Sequence, residues 1–158
     1  MASMQSSQDA GDIAQIMQAY AEDAVRTARQ HQVNLDYSER SLEEVEGLLG
    51  QLHDQLENEP HATGSSNAQS TQPGLDEMSR IWGGYLGEVV RRRFGGEWTI
   101  EKYPAGDFLI VTLNVNGARL FPAMKVYKRL TEGADENLLV FYKNVRARLE
   151  ALPSGKVQ

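Results

Sequence analysis

From Ile81 to Trp98 the chain reads IWGGYLGEVVRRRFGGEW, and no other stretch restricts its fold so strongly. Leu75, Met78, Ile81, Trp82, Tyr85, Leu86, Val89 and Val90 recur at helical spacing. Their wide apolar face predicts a central helix from about Leu75 to Phe94. Gly83 and Gly87 stand four apart on one side of it. A glycine inside a helix costs about 1 kcal/mol relative to alanine, and close approach of another chain segment is the usual compensation. A dimer seam or a ligand contact is the other use of such a notch. Phosphate-binding glycine loops follow a strand and open a helix. Here the glycines lie inside the helix, and Gly95 and Gly96 end it.

Beyond that glycine pair the period changes from helical to two-fold. EWTIEKY, the turn PAGD, and the apolar run from Phe108 to Val115 are followed by Asn116-Gly117 and ARLF. Asn-Gly is the preferred type I′ pair, so a three-stranded antiparallel meander is expected, with the apolar run as its centre. Pro122 then opens a helix that lasts until Gly133, and Asp135 is expected to cap a last helix from Glu136 to about Leu149.

Upstream, Ile13, Ile16, Met17, Tyr20, Ala24, Val25 and Ala28 form a stripe on a helix starting near Asp9, with Asp9 or Asp12 as its cap. Val33 to Tyr37 reads as a short extended connector. Ser41 and Glu44 make a capping box ahead of Leu42, Val45, Leu48, Leu49, Leu52 and Leu56. The two helices are expected to form a hairpin. The fold class is therefore α+β: an N-terminal helical hairpin, a central amphipathic helix, a three-stranded meander and two C-terminal helices. Residues 1–8 are expected as a disordered tail, 9–150 as a single domain, and 151–158 as a frayed tail. Within the domain, 58–73 has little to bury and reads as a mobile loop.

Composition narrows the chemistry. The chain has 158 residues, 41% hydrophobic and 24% charged, in the range of ordinary globular domains. It has no cysteine, which removes disulfides and thiolate chemistry. His31, His53 and His61 show no metal-ligand spacing, so no metal or other cofactor is expected. No apolar run reaches the roughly 20 residues of a membrane span, and no signal pattern opens the chain, so a cytoplasmic location is expected. Charge divides unevenly: residues 1–80 hold 4 Arg and 14 acidic side chains, and residues 81–158 hold 12 basic and 8 acidic ones. Either the halves attract one another, or the acidic half is a solvated face, or it meets a basic partner. Arg91, Arg92 and Arg93 fan around the last helical turn, where cations suit the dipole, so nucleic acid is not the expected partner.

WGGYLGEVVRRRFGGEW and FPAMKVYKRLTEGADENLLVFY, most specifically KVYKRLTEG followed by FY, resemble a widespread bacterial family of small domains of unknown function. The resemblance covers roughly residues 75–145, with DYSERSLEEVEGLLGQLH resembling the preceding helix of relatives. It implies the fold and a bacterial origin but no mechanism.

Two functional classes follow. The first is a non-catalytic protein-binding domain, for example an immunity protein that occludes a toxin. Its partner-binding residues would be Trp82 and Tyr85, or the acidic row Glu43, Glu44 and Glu46, and a homodimer is admitted. The second is a small-molecule sensor or enzyme with a pocket between the sheet and the central helix, lined by Trp82, Glu88, Trp98, Lys125 and Tyr127. Glu88 is its best ionisable group, with Lys125 and Lys128 as counterions, although such a pair is more often structural than catalytic. No second carboxylate makes a catalytic pair with it.

Overall fold

The computed structural model describes the backbone of residues 2–58 and 74–151, and their side chains from Gly11 onward. The elements come in the expected order: α1 (Ala2–Gln30), α2 (Ser41–Asn58), α3 (Leu75–Phe94), β1 (Glu97–Lys102), β2 (Leu109–Val115), β3 (Ala118–Leu120), α4 (Pro122–Glu132), a short 3-10 turn (Ala134–Glu136) and α5 (Leu138–Ala151). The α+β class is as expected. Residues 59–73, which make up most of the expected mobile loop, and residues 152–158 of the C-terminal tail lie outside the described residues.

The meander forms as its turn chemistry dictates. β2 lies between β1 and β3, antiparallel to both. Asn116 and Gly117 take φ of 51° and 90°, the left-handed pair that a type I′ turn needs. Trp98, Leu113 and Leu120 stand opposite one another across the three strands, so all three share the face turned to the core. Buried side chains from every helix and every strand then join in one hydrophobic cluster.

α3 is the axis of that cluster. α1 packs along it and along β1, α4 packs on its other side, and α2 lies against α4 and α5. The two N-terminal helices thus find their main partners elsewhere than in the expected hairpin. A mostly small-residue seam explains the choice: Met17, Ala21, Ala24 and Ala28 are the buried face of α1, and Ala21 lies against Gly84 of α3. Ile16, placed on the expected stripe, is 53% exposed, because the close α1–α3 contact is centred on the alanines instead.

Several helix ends differ from expectation. α1 begins at Ala2, ahead of Asp9 and Asp12, so neither aspartate caps it. The start of α2 is held by Ser38, whose Oγ accepts the Ser41 amide at 3.1 Å. Ser41 is already inside the helix and its hydroxyl is engaged elsewhere, so the expected capping box is not made. At α5 the cap is Asn137 instead of Asp135: its Oδ1 accepts the amides of Leu139 and Val140 at 2.8 and 3.2 Å. Asp135 is consumed in the 3-10 turn. Val33–Tyr37 connects α1 to α2 without helix or strand, as a connector.

Candidate functional site

The glycines of α3 each admit a different neighbour. A Cβ at Gly83 would stand 2.6 Å from Ala123 Cα and 2.8 Å from its nitrogen, so α4 enters there. At Gly84 it would lie 2.8 Å from the Met17 carbonyl oxygen of α1. At Gly87 it would overlap Cη2 of Trp98 and come within 2.5 Å of Cζ2. Close approach of backbone was expected at Gly83 and Gly87. Gly83 meets it, Gly87 receives an indole ring, and Gly84, which the helical pattern did not single out, carries the second backbone contact.

Seating Trp98 on Gly87 brings its indole to Glu88, one residue further along α3. Trp98 Nε1 donates to Glu88 Oε2 at 2.9 Å. Arg91 donates through Nε at 2.7 Å to Oε2 and through Nη2 at 2.9 Å to Oε1, and Arg92 Nε adds a bond of 3.3 Å to Oε1. The Glu88 side chain is fully buried, while Arg91 and Arg92 are 30% and 46% exposed. Burial alone would push this carboxyl up. The hydrogen bonds from Arg91 and Trp98, with the arginine charge, outweigh it and hold the group below the usual carboxylate range. Four donors occupy the carboxylate, so it has neither a proton to give nor a free lone pair with which to take one. The expected counterions Lys125 and Lys128 do not reach it. Lys125 Nζ pairs with Glu136 at 2.7 Å instead. The spacings of three and four between Glu88 and its arginines were the available signal.

The arginine triplet is spent on internal ties. Besides Glu88, Arg92 lies 3.6 Å over the ring of Tyr37, which itself stacks on Tyr85 at 4.8 Å. Tyr37 has φ of 66°, an unusual conformation for a bulky residue. Its amide donates to the Tyr85 hydroxyl at 2.7 Å, and its ring is held between Tyr85 and Arg92. Ser41 gives its hydroxyl proton to the Ser38 carbonyl, so Tyr85 donates to Ser41 Oγ at 2.6 Å. Arg93 lies 3.6 Å from Glu39, which also accepts from Tyr142 at 2.5 Å.

These contacts remove most of the expected partner surface. Tyr85 is fully buried and Trp82 is 3% exposed, because their face of α3 is the inner one, and neither can meet a partner. The acidic row divides. Glu43 and Glu44 are exposed, whereas Glu46 turns inward to Arg129 at 2.8 Å and accepts from Asn137 and the Leu138 amide at 3.1 and 2.9 Å. A salt bridge across α2, α4 and the start of α5 thus replaces an interaction surface.

The expected pocket fares similarly. A groove of about 440 Å³ does run between α3, β2 and α4, lined by Asp76, Arg80, Phe108, Ile110, Met124 and Tyr127 among others. Of the five expected residues only Tyr127 reaches it. Trp82, Glu88 and Trp98 are core, and Lys125 faces a second groove on the other side of α4. Among the described residues no group of three acidic or histidine side chains is placed to hold a metal ion, every buried side-chain nitrogen and oxygen is hydrogen-bonded, and no helix is long and apolar enough to cross a membrane.

Comparison with protein-family models, with curated proteins and with solved structures yields no match.

Proposed function

We infer that this chain is a non-catalytic protein-binding domain, bacterial and cytoplasmic, of the kind in which an immunity protein occludes a toxin. The observation that carries the reading is the free end of the β1–β2 hairpin. Leu109 is 71% exposed, Ile100 50% and Phe108 46%. Ile100 and Leu109 lie on one face of the hairpin, while Phe108 and Ile110 reach the 440 Å³ groove beside Tyr127, itself 38% exposed. Large apolar side chains grouped at one end of a small domain suit a protein interface. The carboxylates of Glu88 and Glu46 are meanwhile committed to internal bonds. Glu43 and Glu44 supply an acidic margin elsewhere on the surface, on α2.

The test is recovery of a partner from the native source at native abundance. A stoichiometric partner lost on Leu109→Asp, and kept on Glu43→Gln/Glu44→Gln, supports the hairpin as the interface. Absence of any stoichiometric partner sinks the reading. The alternative, a small-molecule sensor or enzyme at the same groove, draws on its volume and on Tyr127. A metabolite that raises the melting temperature in proportion to the logarithm of its concentration, and does so less for Tyr127→Ala, would favour it.

A further inference from the structure

The second groove, of about 340 Å³, lies between α4 and α5 and is floored by the β3–α4 corner. Its charge is opposite to that of the chain as a whole. Arg119, Lys125, Lys128 and Arg148 line it against the single carboxylate of Glu136, on a protein of net charge −6. Glu136 is paired with Lys125 and Arg119 with Glu101, at 2.7 and 2.8 Å. Among the described residues, Lys128 and Arg148 make no hydrogen bond or close ion pair; the charge of Lys128 helps to lower the Glu136 carboxyl, which is already bonded to Lys125, and Lys128 is half-buried. Bringing unneutralised cations together raises their mutual repulsion, which a bound anion relieves, and a cleft concentrates their field.

The walls are aromatic. Tyr103 meets Phe121 edge to face at 5.1 Å, and Lys125 Nζ sits 5.4 Å from the centre of the Phe141 ring. Cations beside flat rings fit a ligand with both an anionic and a planar part, and the volume is that of one small molecule. Arg and Lys are the side chains that recognise phosphate oxygens.

We propose that this groove binds a small organic phosphate carrying a flat ring, of the nucleoside diphosphate class, with Lys128 and Arg148 on the phosphates and Phe141 against the ring. The groove adjoins the hairpin end, since Tyr103 stacks on Phe108 at 5.4 Å and Met124 borders both grooves, but its charged side chains lie outside the apolar patch and neither reading depends on the other.

The full chain is titrated calorimetrically with ADP, adenosine and inorganic pyrophosphate, at low and at physiological salt. One ADP is expected per chain, weakened by salt, with adenosine and pyrophosphate each weaker by about tenfold or more. Lys128→Gln/Arg148→Gln is expected to weaken ADP by about tenfold or more without lowering the melting temperature, since neither side chain makes a hydrogen bond or close ion pair and their mutual repulsion is removed. Amide NMR shifts on the unaltered protein should cluster at Lys125, Lys128, Phe141 and Arg148, a readout that no variant's folding can confound. No saturable ADP binding, shifts elsewhere, or a double variant that binds like the parent overturns the proposal. So does pyrophosphate binding as tightly as ADP, which would mark only a counterion patch.

Discussion

Replacing Gly87 with alanine should destabilise the protein although alanine is the better helix former. The substitution gains about 1 kcal/mol of helix propensity. Against this, the new Cβ would overlap Trp98 Cη2 and approach Cζ2 within 2.5 Å. Trp98 is 1% exposed and tied to Glu88 at 2.9 Å, so it has no free rotamer into which to retreat. Overpacking of this kind costs about 1–3 kcal/mol, and loosening a hydrogen bond to a charged group about 1.5–3 kcal/mol more. The net is a loss of roughly 1.5–5 kcal/mol; for a domain of this size a loss of 2 kcal/mol lowers Tm by roughly 4–8 °C. Gly47→Ala is the control: Gly47 sits inside α2, exposed, with nothing within 4 Å of a Cβ. It should gain about 0.5–1 kcal/mol. Urea unfolding of both variants at one pH provides the comparison. A Gly87→Ala protein as stable as the parent, with Gly47→Ala stabilised as expected, would refute the claim that Gly87 exists to seat the indole.

Trp98→Phe keeps most of the ring but removes the donor to Glu88, and should cost about 1.5–3 kcal/mol in the same unfolding assay. Glu46→Ala strands Arg129, whose side chain is 7% exposed, and should cost about 3–5 kcal/mol, whereas Glu43→Ala and Glu44→Ala on the exposed face should stay within about 0.5 kcal/mol. The carboxyl of Glu88 titrates lower in the folded chain than its ordinary value of 4.5, so its stabilising contribution is complete above that value and is lost as pH falls through the folded pKa. Stability measured against pH should therefore show Glu88→Gln well below the parent at neutral pH, with the gap closing in acid; a gap that widens on acidification contradicts this.

Element order, the meander and its Asn116-Gly117 turn were legible because each rests on local chemistry: a period, a turn pair, a proline at the first position of α4. The helix caps were less so. Ser41 resembles a cap in sequence, but a buried Tyr85 hydroxyl competes for it, and that contact spans 44 positions. The same limit governs the site. Trp82 and Tyr85 look like partner-binding aromatics until α1 and α4 are placed on either side of α3. Glu46 is indistinguishable from Glu43 and Glu44 by type, and only the position of Arg129, far along the chain, turns it inward. Helical spacing did hold the pairing of Glu88 with Arg91 and Arg92, and it outranked the more distant lysines. The apolar end of the β1–β2 hairpin was hidden because Phe108 and Leu109 read as part of a buried strand, and only the extent of the helical cover shows where burial stops.

The account stands on Glu88 being a structural anchor that is charged at neutral pH and not a proton-transfer group. The direct measurement is an NMR titration of its side-chain carboxyl carbon in the intact protein. The structure predicts a midpoint below the ordinary glutamate value, with a matching response in the Trp98 indole N–H. A midpoint raised toward neutrality would show a carboxyl able to donate and accept a proton, and would contradict the non-catalytic reading.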